Sequence, residues 1–256
     1  MFGAVCGDII GSVYEFKPIK TKDFGLFSLS SRFTDDTVLT LATIDSLLNR
    51  KPYEVSYQEW YKKYPQAGYG GSFRKWAESD SLRPYNSWGN GSAMRVGPIG
   101  YYYQTLEEVL KEAKASAEVT HNHPEGIKGA QATALAVFLA KEGRTKAQIK
   151  SMLEEMFNYD LDESLDEIRQ WYKFDVSCQG SVPQAIRAFL ESTDFEDAIR
   201  NAISLGGDSD TIACIAGAIA EAFYRDIPST IQTEALKRLD PEMKTLLENF
   251  YRQLKK

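Results

Sequence analysis

Three glycines spaced four apart on an apolar stretch, Gly3, Gly7 and Gly11, constrain the fold of this chain more than any other feature. Val5, Ile9 and Val13 lie on one stripe at helical spacing with Cys6, Ile10 and Tyr14 beside it, so residues 2–16 read as a helix. Each glycine inside a helix costs about 1 kcal/mol against alanine. A whole face of them makes sense where a neighbouring backbone approaches closely. A matching face lies near the other end of the chain, where residues 211–224 carry Ala213, Ala216, Gly217 and Ala220. The expectation is that these two helices pack against each other.

The chain between them is helical throughout. After Thr34, the residues Val38, Leu39, Leu41, Ala42, Ile44, Leu47 and Leu48 mark a helix ending near Asn49. Amphipathic helices follow at 53–65, 71–79 and 106–117. Residues 127–141 are small or apolar almost all round, the pattern of a central buried helix. Helices are expected at 146–158 and 164–173. Ser181-Val182-Pro183-Gln184 reads as a capping box opening a helix through Leu190. Asp194 caps another that runs to Leu205, and one or two terminal helices, broken at Pro241, occupy 229–254. No strand alternation, linker or repeat interrupts the pattern, so 1–256 reads as a single all-α domain of ten or more helices.

Composition excludes several classes. A net charge of −6 argues against nonspecific nucleic-acid binding. Cys6, Cys178 and Cys214 have neither disulfide nor zinc spacing. With an acid at position 8 and no membrane-length apolar run, a signal peptide and a membrane span are not expected; a cytoplasmic location and a monomer are the default expectations.

Two acidic helix starts carry the chemistry. Thr34-Asp35-Asp36-Thr37 and Gly206-Gly207-Asp208-Ser209-Asp210-Thr211 both deliver two carboxylates and two hydroxyls into a helix N-terminus. Taken singly, each is explained by capping and the helix dipole. If the four aspartates share one cleft, each pair at 4 Å repels by about 4 kcal/mol at an effective dielectric of 20, and cations are the natural remedy. An all-oxygen donor set selects Mg²⁺, Mn²⁺ or Ca²⁺, and two paired sets suggest two ions. An EF-hand is excluded, because Ala213 and Ile219 stand where it requires Gly and Glu. Asp8 and Glu15, seven apart on the first helix, would share a face roughly 10 Å apart. The simple reading is that Asp8 caps another helix and Glu15 sits at a wet helix end.

Two loops complete the candidate site. Gly89-Asn90-Gly91-Ser92 suits an anion, although it is not a Walker A sequence. Gly68-Tyr69-Gly70-Gly71 suggests a close approach to the backbone. Both histidines lie in Thr120-His121-Asn122-His123. Their adjacency speaks against an HNH nuclease, and no third zinc ligand stands nearby, so one imidazole touching a ligand is the better reading.

Taken together, Gly7-Asp8-Ile9-Ile10-Gly11-Ser12-Val13-Tyr14-Glu15, Thr34-Asp35-Asp36-Thr37, Gly89-Asn90-Gly91-Ser92-Ala93-Met94-Arg95, Thr120-His121 and Gly206-Gly207-Asp208-Ser209-Asp210-Thr211 resemble the ADP-ribosylglycohydrolase family, in the family's order over residues 3–224. The resemblance implies an orthogonal helical bundle with two Mg²⁺ or Mn²⁺ ions held by Thr34, Asp35, Asp36, Asp208, Asp210 and Thr211. It further implies that Gly89, Asn90, Gly91 and Ser92 face a pyrophosphate. Gly68, Gly70 and His121 would line the ADP-ribose cleft, with Glu15 beside the distal ribose. Glu15, Asp35 and Asp36 are then the catalytic candidates, for hydrolysis of an N- or O-glycosidic bond in an ADP-ribosylated protein or small ADP-ribose conjugate. A two-metal phosphoesterase and a catalytically silent ADP-ribose binder are the competing readings.

Overall fold

The computed structural model describes residues 1–254. Fourteen α-helices make up the fold, and no strand occurs among the described residues. The first seven are α1 (Phe2–Gly11), α2 (Asp35–Asn49), α3 (Tyr53–Lys63), α4 (Gly71–Ala77), α5 (Gly97–Tyr102), α6 (Leu106–Glu118) and α7 (Pro124–Lys141). They are followed by α8 (Lys146–Phe157), α9 (Leu165–Trp171), α10 (Cys178–Leu190), α11 (Phe195–Ile203), α12 (Ser209–Tyr224), α13 (Ser229–Leu236) and α14 (Pro241–Leu254). No helix among the described residues is long and apolar enough to cross a membrane.

The expected pairing of the glycine and alanine faces forms the spine of the fold. A Cβ on Gly3 would meet the Gly217 carbonyl oxygen at 2.4 Å, one on Gly7 the Ala213 oxygen at 2.0 Å, and one on Gly11 the Ser209 oxygen at 2.5 Å. The contacts descend by four on α12 as they rise by four on α1, so the two helices run antiparallel with backbones nearly touching. Both are buried along almost their whole length. Around them, α7 packs against α12, α5, α6, α8 and α10, the central position its composition implied.

The structure corrects several boundaries. The first helix stops at Gly11 rather than running to residue 16, since α12 begins at Ser209 and offers nothing further to pack against. There the Ser12 hydroxyl donates to the Ile9 carbonyl and the Tyr14 N–H to the Gly11 carbonyl, tightening the chain into a turn. Glu15 therefore does not share a helical face with Asp8. The capping box at Ser181 is not used. Ser177 caps α10 by accepting from the Gly180 N–H, and Pro183 lies inside the helix. The Ser181 hydroxyl instead bonds the Asp175 and Ser177 carbonyls. His123 caps α7, which starts at Pro124, three residues before the expected position.

Candidate active site

The α1–α12 contact decides where the acids stand. Gly11 lies against Asp210, so the C-terminal end of α1 meets the N-terminal end of α12. Gly206, in the left-handed region at φ +69°, turns the chain from α11 into Asp208. A Cβ there would press on the Ile19 carbonyl and the Lys20 side chain. The Lys20 ammonium holds this turn by donating to the Leu205 and Tyr172 carbonyls.

Asp8 joins α1 to the other acidic start. Its Oδ1 accepts from the Thr34 hydroxyl at 2.7 Å, and its Oδ2 accepts from the N–H groups of Thr34 and Thr37 and from the Thr37 hydroxyl. Four donors saturate this buried carboxylate, which caps α2 from another helix.

Capping does not account for the remaining acids. The N-cap of α2 is Thr34, whose hydroxyl accepts from the Asp36 N–H, and Asp208 makes no capping bond to α12. Asp36 Oδ2 accepts from the Thr211 hydroxyl at 3.3 Å and lies 3.4 Å from the Thr34 hydroxyl, whose hydrogen goes to Asp8, while its Oδ1 is buried with no partner. An orphaned carboxylate oxygen on a residue only 2% exposed is costly unless something electropositive meets it. Two groups of carboxylates each bring oxygens within 4.8 Å of one another: Asp8, Asp36 and Asp210, and Glu15, Asp208 and Asp210.

Burial, reinforced by like charge, raises these acids. Asp35, Asp36 and Asp210 lie well above the usual carboxylate range. Asp208 is pushed up to about 6, tempered by the Asn90 amide that donates to its Oδ2 at 2.7 Å. Glu15 is pushed up to about 7, first by burial and then by Asp210. The donors are all oxygen, and the unmet oxygen and crowded charge match what one or more hard cations would satisfy.

These shifts predict an unusual pH response. A carboxyl whose folded pKa is raised binds its proton more tightly when folded. Its stabilising contribution is full below the unfolded value and is lost as pH rises through the folded one. For Asp208 that window runs from 3.8 to about 6, and for Glu15 from 4.5 to about 7. In chelator, wild-type melting temperature should therefore fall relative to Asp208→Asn as pH rises from about 4 to about 6, the Asp208 window, and Mg²⁺ should close the gap. A constant difference across that range would rule out the crowded-acid account.

The cleft above these acids, about 360 Å³, is lined by Glu15, Asp35, Asp36, Asp208, Asp210 and Thr211. Gly68, Gly70, Gly89, Asn90, Gly91 and His121 line it too, with Gly68 beside Asp35 and Asn90 bonded to Asp208. Two of the expected residues stand elsewhere. Thr34 bonds Asp8 and lies 3.4 Å from Asp36 Oδ2, but is not among the residues that line the cleft. Ser92 is fully buried, its hydroxyl donating to the Gly126 carbonyl at 2.7 Å. The Asn90 side chain also departs from a purely anion-facing role, because its amide nitrogen is committed to Asp208 and Ser181. The loop is pinned by Asn90 N–H to the Val176 carbonyl and by Cys178 N–H to the Trp88 carbonyl, partners 86 residues or more away in sequence. Tyr85, Ser87, Met94 and Arg95 also line the cleft. None of the four was expected from the sequence, although Arg95 closes the glycine-rich motif.

An all-α fold whose two acidic helix starts open into one cleft defines an oxygen-donor site of the kind that holds hard cations. The ADP-ribosylglycohydrolase family model matches residues 1–256, and the chain belongs to that family. It is 31% identical to ADP-ribosylhydrolase ARH3 of Homo sapiens over 87% of this chain and 83% of that one. To ADP-ribosylhydrolase ARH3 of Gallus gallus it is 29% identical, over 98% of this chain and 92% of that one. A solved structure described as an ADP-ribosylglycohydrolase-related protein complex superposes with a TM-score of 0.74 at 26% identity, covering 98% of this chain and 95% of that chain.

Proposed function

We propose that the protein is a cation-dependent hydrolase that cleaves the N- or O-glycosidic bond at the distal ribose of an ADP-ribosylated protein or small conjugate, releasing ADP-ribose. Family membership supports the reaction class. The observation that carries the cation dependence is the partnerless Asp36 Oδ1 among crowded, buried carboxylates. Asp36, Asp208, Asp210 and Thr211, with Asp35 and Glu15 at the edge, would hold Mg²⁺ or Mn²⁺. The two acidic pairs, Asp35 with Asp36 at the α2 start and Asp208 with Asp210 at the α12 start, favour two ions. Saturated by four donors, Asp8 orders the α2 start rather than serving as a ligand. Bound there, the ions supply positive charge that fixes the ribose hydroxyls and lowers the pKa of water.

The residues of the chain divide the remaining work. The 89–91 loop and His121 receive the pyrophosphate, which directs the distal ribose toward the acids. Carboxylates around the anomeric carbon stabilise the oxocarbenium-like charge that grows as the bond breaks. Glu15, half-buried at the edge of the acidic cluster and lining the cleft, is the carboxyl placed to assist the leaving group. Asp35, partly exposed at the cleft, is better placed than the buried Asp36 to take a proton from the attacking water.

Incubation with Mg²⁺ and a panel of ADP-ribose linkages tests the reading. Free ADP-ribose supports it; AMP would indicate a phosphoesterase, and binding without turnover a silent relative. Because the Asn90 amide orients Asp208, Asn90→Ala should lower turnover about 10- to 100-fold. Wild-type rates in that variant would separate Asn90 from the acidic centre.

A further inference from the structure

We infer that Arg95 and Thr120 are positioning residues that hold His121 as the neutral imidazole with its proton on Nε2, presenting that N–H to the anion subsite. The wiring is local and buried. Arg95 Nη2 donates to the Thr120 hydroxyl at 2.9 Å and to the Ser116 carbonyl at 2.8 Å. Thr120 Oγ1 lies 2.8 Å from His121 Nδ1. Arginine has only donors, so Thr120 must accept from it. The threonine hydroxyl then has one hydrogen to place; the Tyr85 hydroxyl lies nearby, but His121 Nδ1, at 2.8 Å, is the acceptor in hydrogen-bonding geometry. If Nδ1 carried the proton, a fully buried hydroxyl hydrogen would give up its one well-formed bond for the poorer contact with the Tyr85 hydroxyl, a costlier arrangement. The low-cost assignment makes Nδ1 the acceptor and leaves the proton on Nε2.

The other face of the ring points where such a donor is useful. Nε2 makes no hydrogen bond among the described residues and borders the cleft. A Cβ on Gly91 would lie 3.3 Å from it, and one on Gly89 3.6 Å, so the missing side chains of the loop leave its approach open. Arg95 also discourages a second proton. Its guanidinium is fully buried against the Tyr57 ring at 4.2 Å with no carboxylate partner, and its Nε and Nη1 make no hydrogen bond. Burial first, and this cation second, hold the His121 pKa well below its ordinary value. The site thus offers a fixed neutral donor instead of a titrating cation. The identity of the anion as a pyrophosphate rests on the proposed function; the tautomer does not.

Long-range ¹⁵N–¹H correlation spectra of histidine-labelled protein test the relay, with His123→Ala assigning the two rings. The expected wild-type signature is protonated Nε2 and bare Nδ1, unchanged between about pH 5 and pH 8. Thr120→Val should lose that signature and Thr120→Ser should keep it. With turnover, Thr120→Val should raise KM about ten-fold or more while kcat changes little, as expected for loss of a donor to a charged group, and Thr120→Ser should restore it. A wild-type ring protonated on Nδ1, or a Thr120→Val spectrum identical to wild type, overturns the assignment. The wild-type spectrum decides even if the valine variant does not fold. Because it needs no substrate, absence of ADP-ribose release would refute the proposed activity without touching the relay.

Discussion

Asp210→Asn is expected to reduce ADP-ribose release about a thousand-fold or more, because Asp210 is the carboxylate common to both acidic groups. Asparagine preserves the shape and removes the charge, so the loss should appear in kcat as well as in cation affinity. The same substitution should have the opposite effect on the metal-free fold. Asp210 is buried beside Asp208 and close to Asp8, and like charges at such range repel by about 4 kcal/mol per pair at 4 Å and an effective dielectric of 20, until protonation relieves them. In chelator near neutral pH, the variant should melt several degrees above wild type. Adding Mg²⁺ at a hundred times its dissociation constant should stabilise wild type by about 2.7 kcal/mol, or about 5–10 °C, and the variant much less. The crossing of the two melting curves is the diagnostic result. A variant that turns over at the wild-type rate in chelator would take the cation out of the mechanism.

Gly7→Ala is expected to cost about 3 kcal/mol or more, among the larger effects of a single methyl group. The new Cβ would lie 2.0 Å from the Ala213 carbonyl oxygen and 2.4 Å from its carbon, and both are backbone atoms in a buried helix that no rotamer change can move. Relief requires α1 and α12 to separate. Separation displaces Asp8 from Thr34 and Thr37, and with it the α2 start, so folded protein should also lose activity. Gly71→Ala is the control, since nothing lies within 4 Å of its added Cβ and the change should stay within about 0.5 kcal/mol. Denaturant titration compares the two, and equal midpoints would disprove close packing as the reason for the glycines.

The two predictions meet at one junction, where the closest helix contact ends beside the acidic cluster. Strain at Gly7 and charge at Asp210 are therefore coupled through Gly11, which abuts Asp210. A double variant should show non-additive stability.

Much of this was legible in the residues. Helical periodicity and the small-residue faces implied an all-α fold with its first helix against a late one, since those patterns are local and each has one inexpensive solution. The acidic starts, the two glycine loops and His121 were visible for the same reason: their chemistry is written in adjacent residues. What depended on distant partners was not. The end of α1 follows from where α12 begins, and the α10 start from Ser177 rather than a well-formed but unused capping box at Ser181. Only the tertiary structure turned Ser92 and Thr34 away from the cleft, committed Asn90 to Asp208, and linked Arg95 to His121 through Thr120. Periodicity specifies which face of a helix is buried, but a hydrogen bond is assigned by whichever donor and acceptor the packing leaves nearest, and that is settled between helices rather than along them.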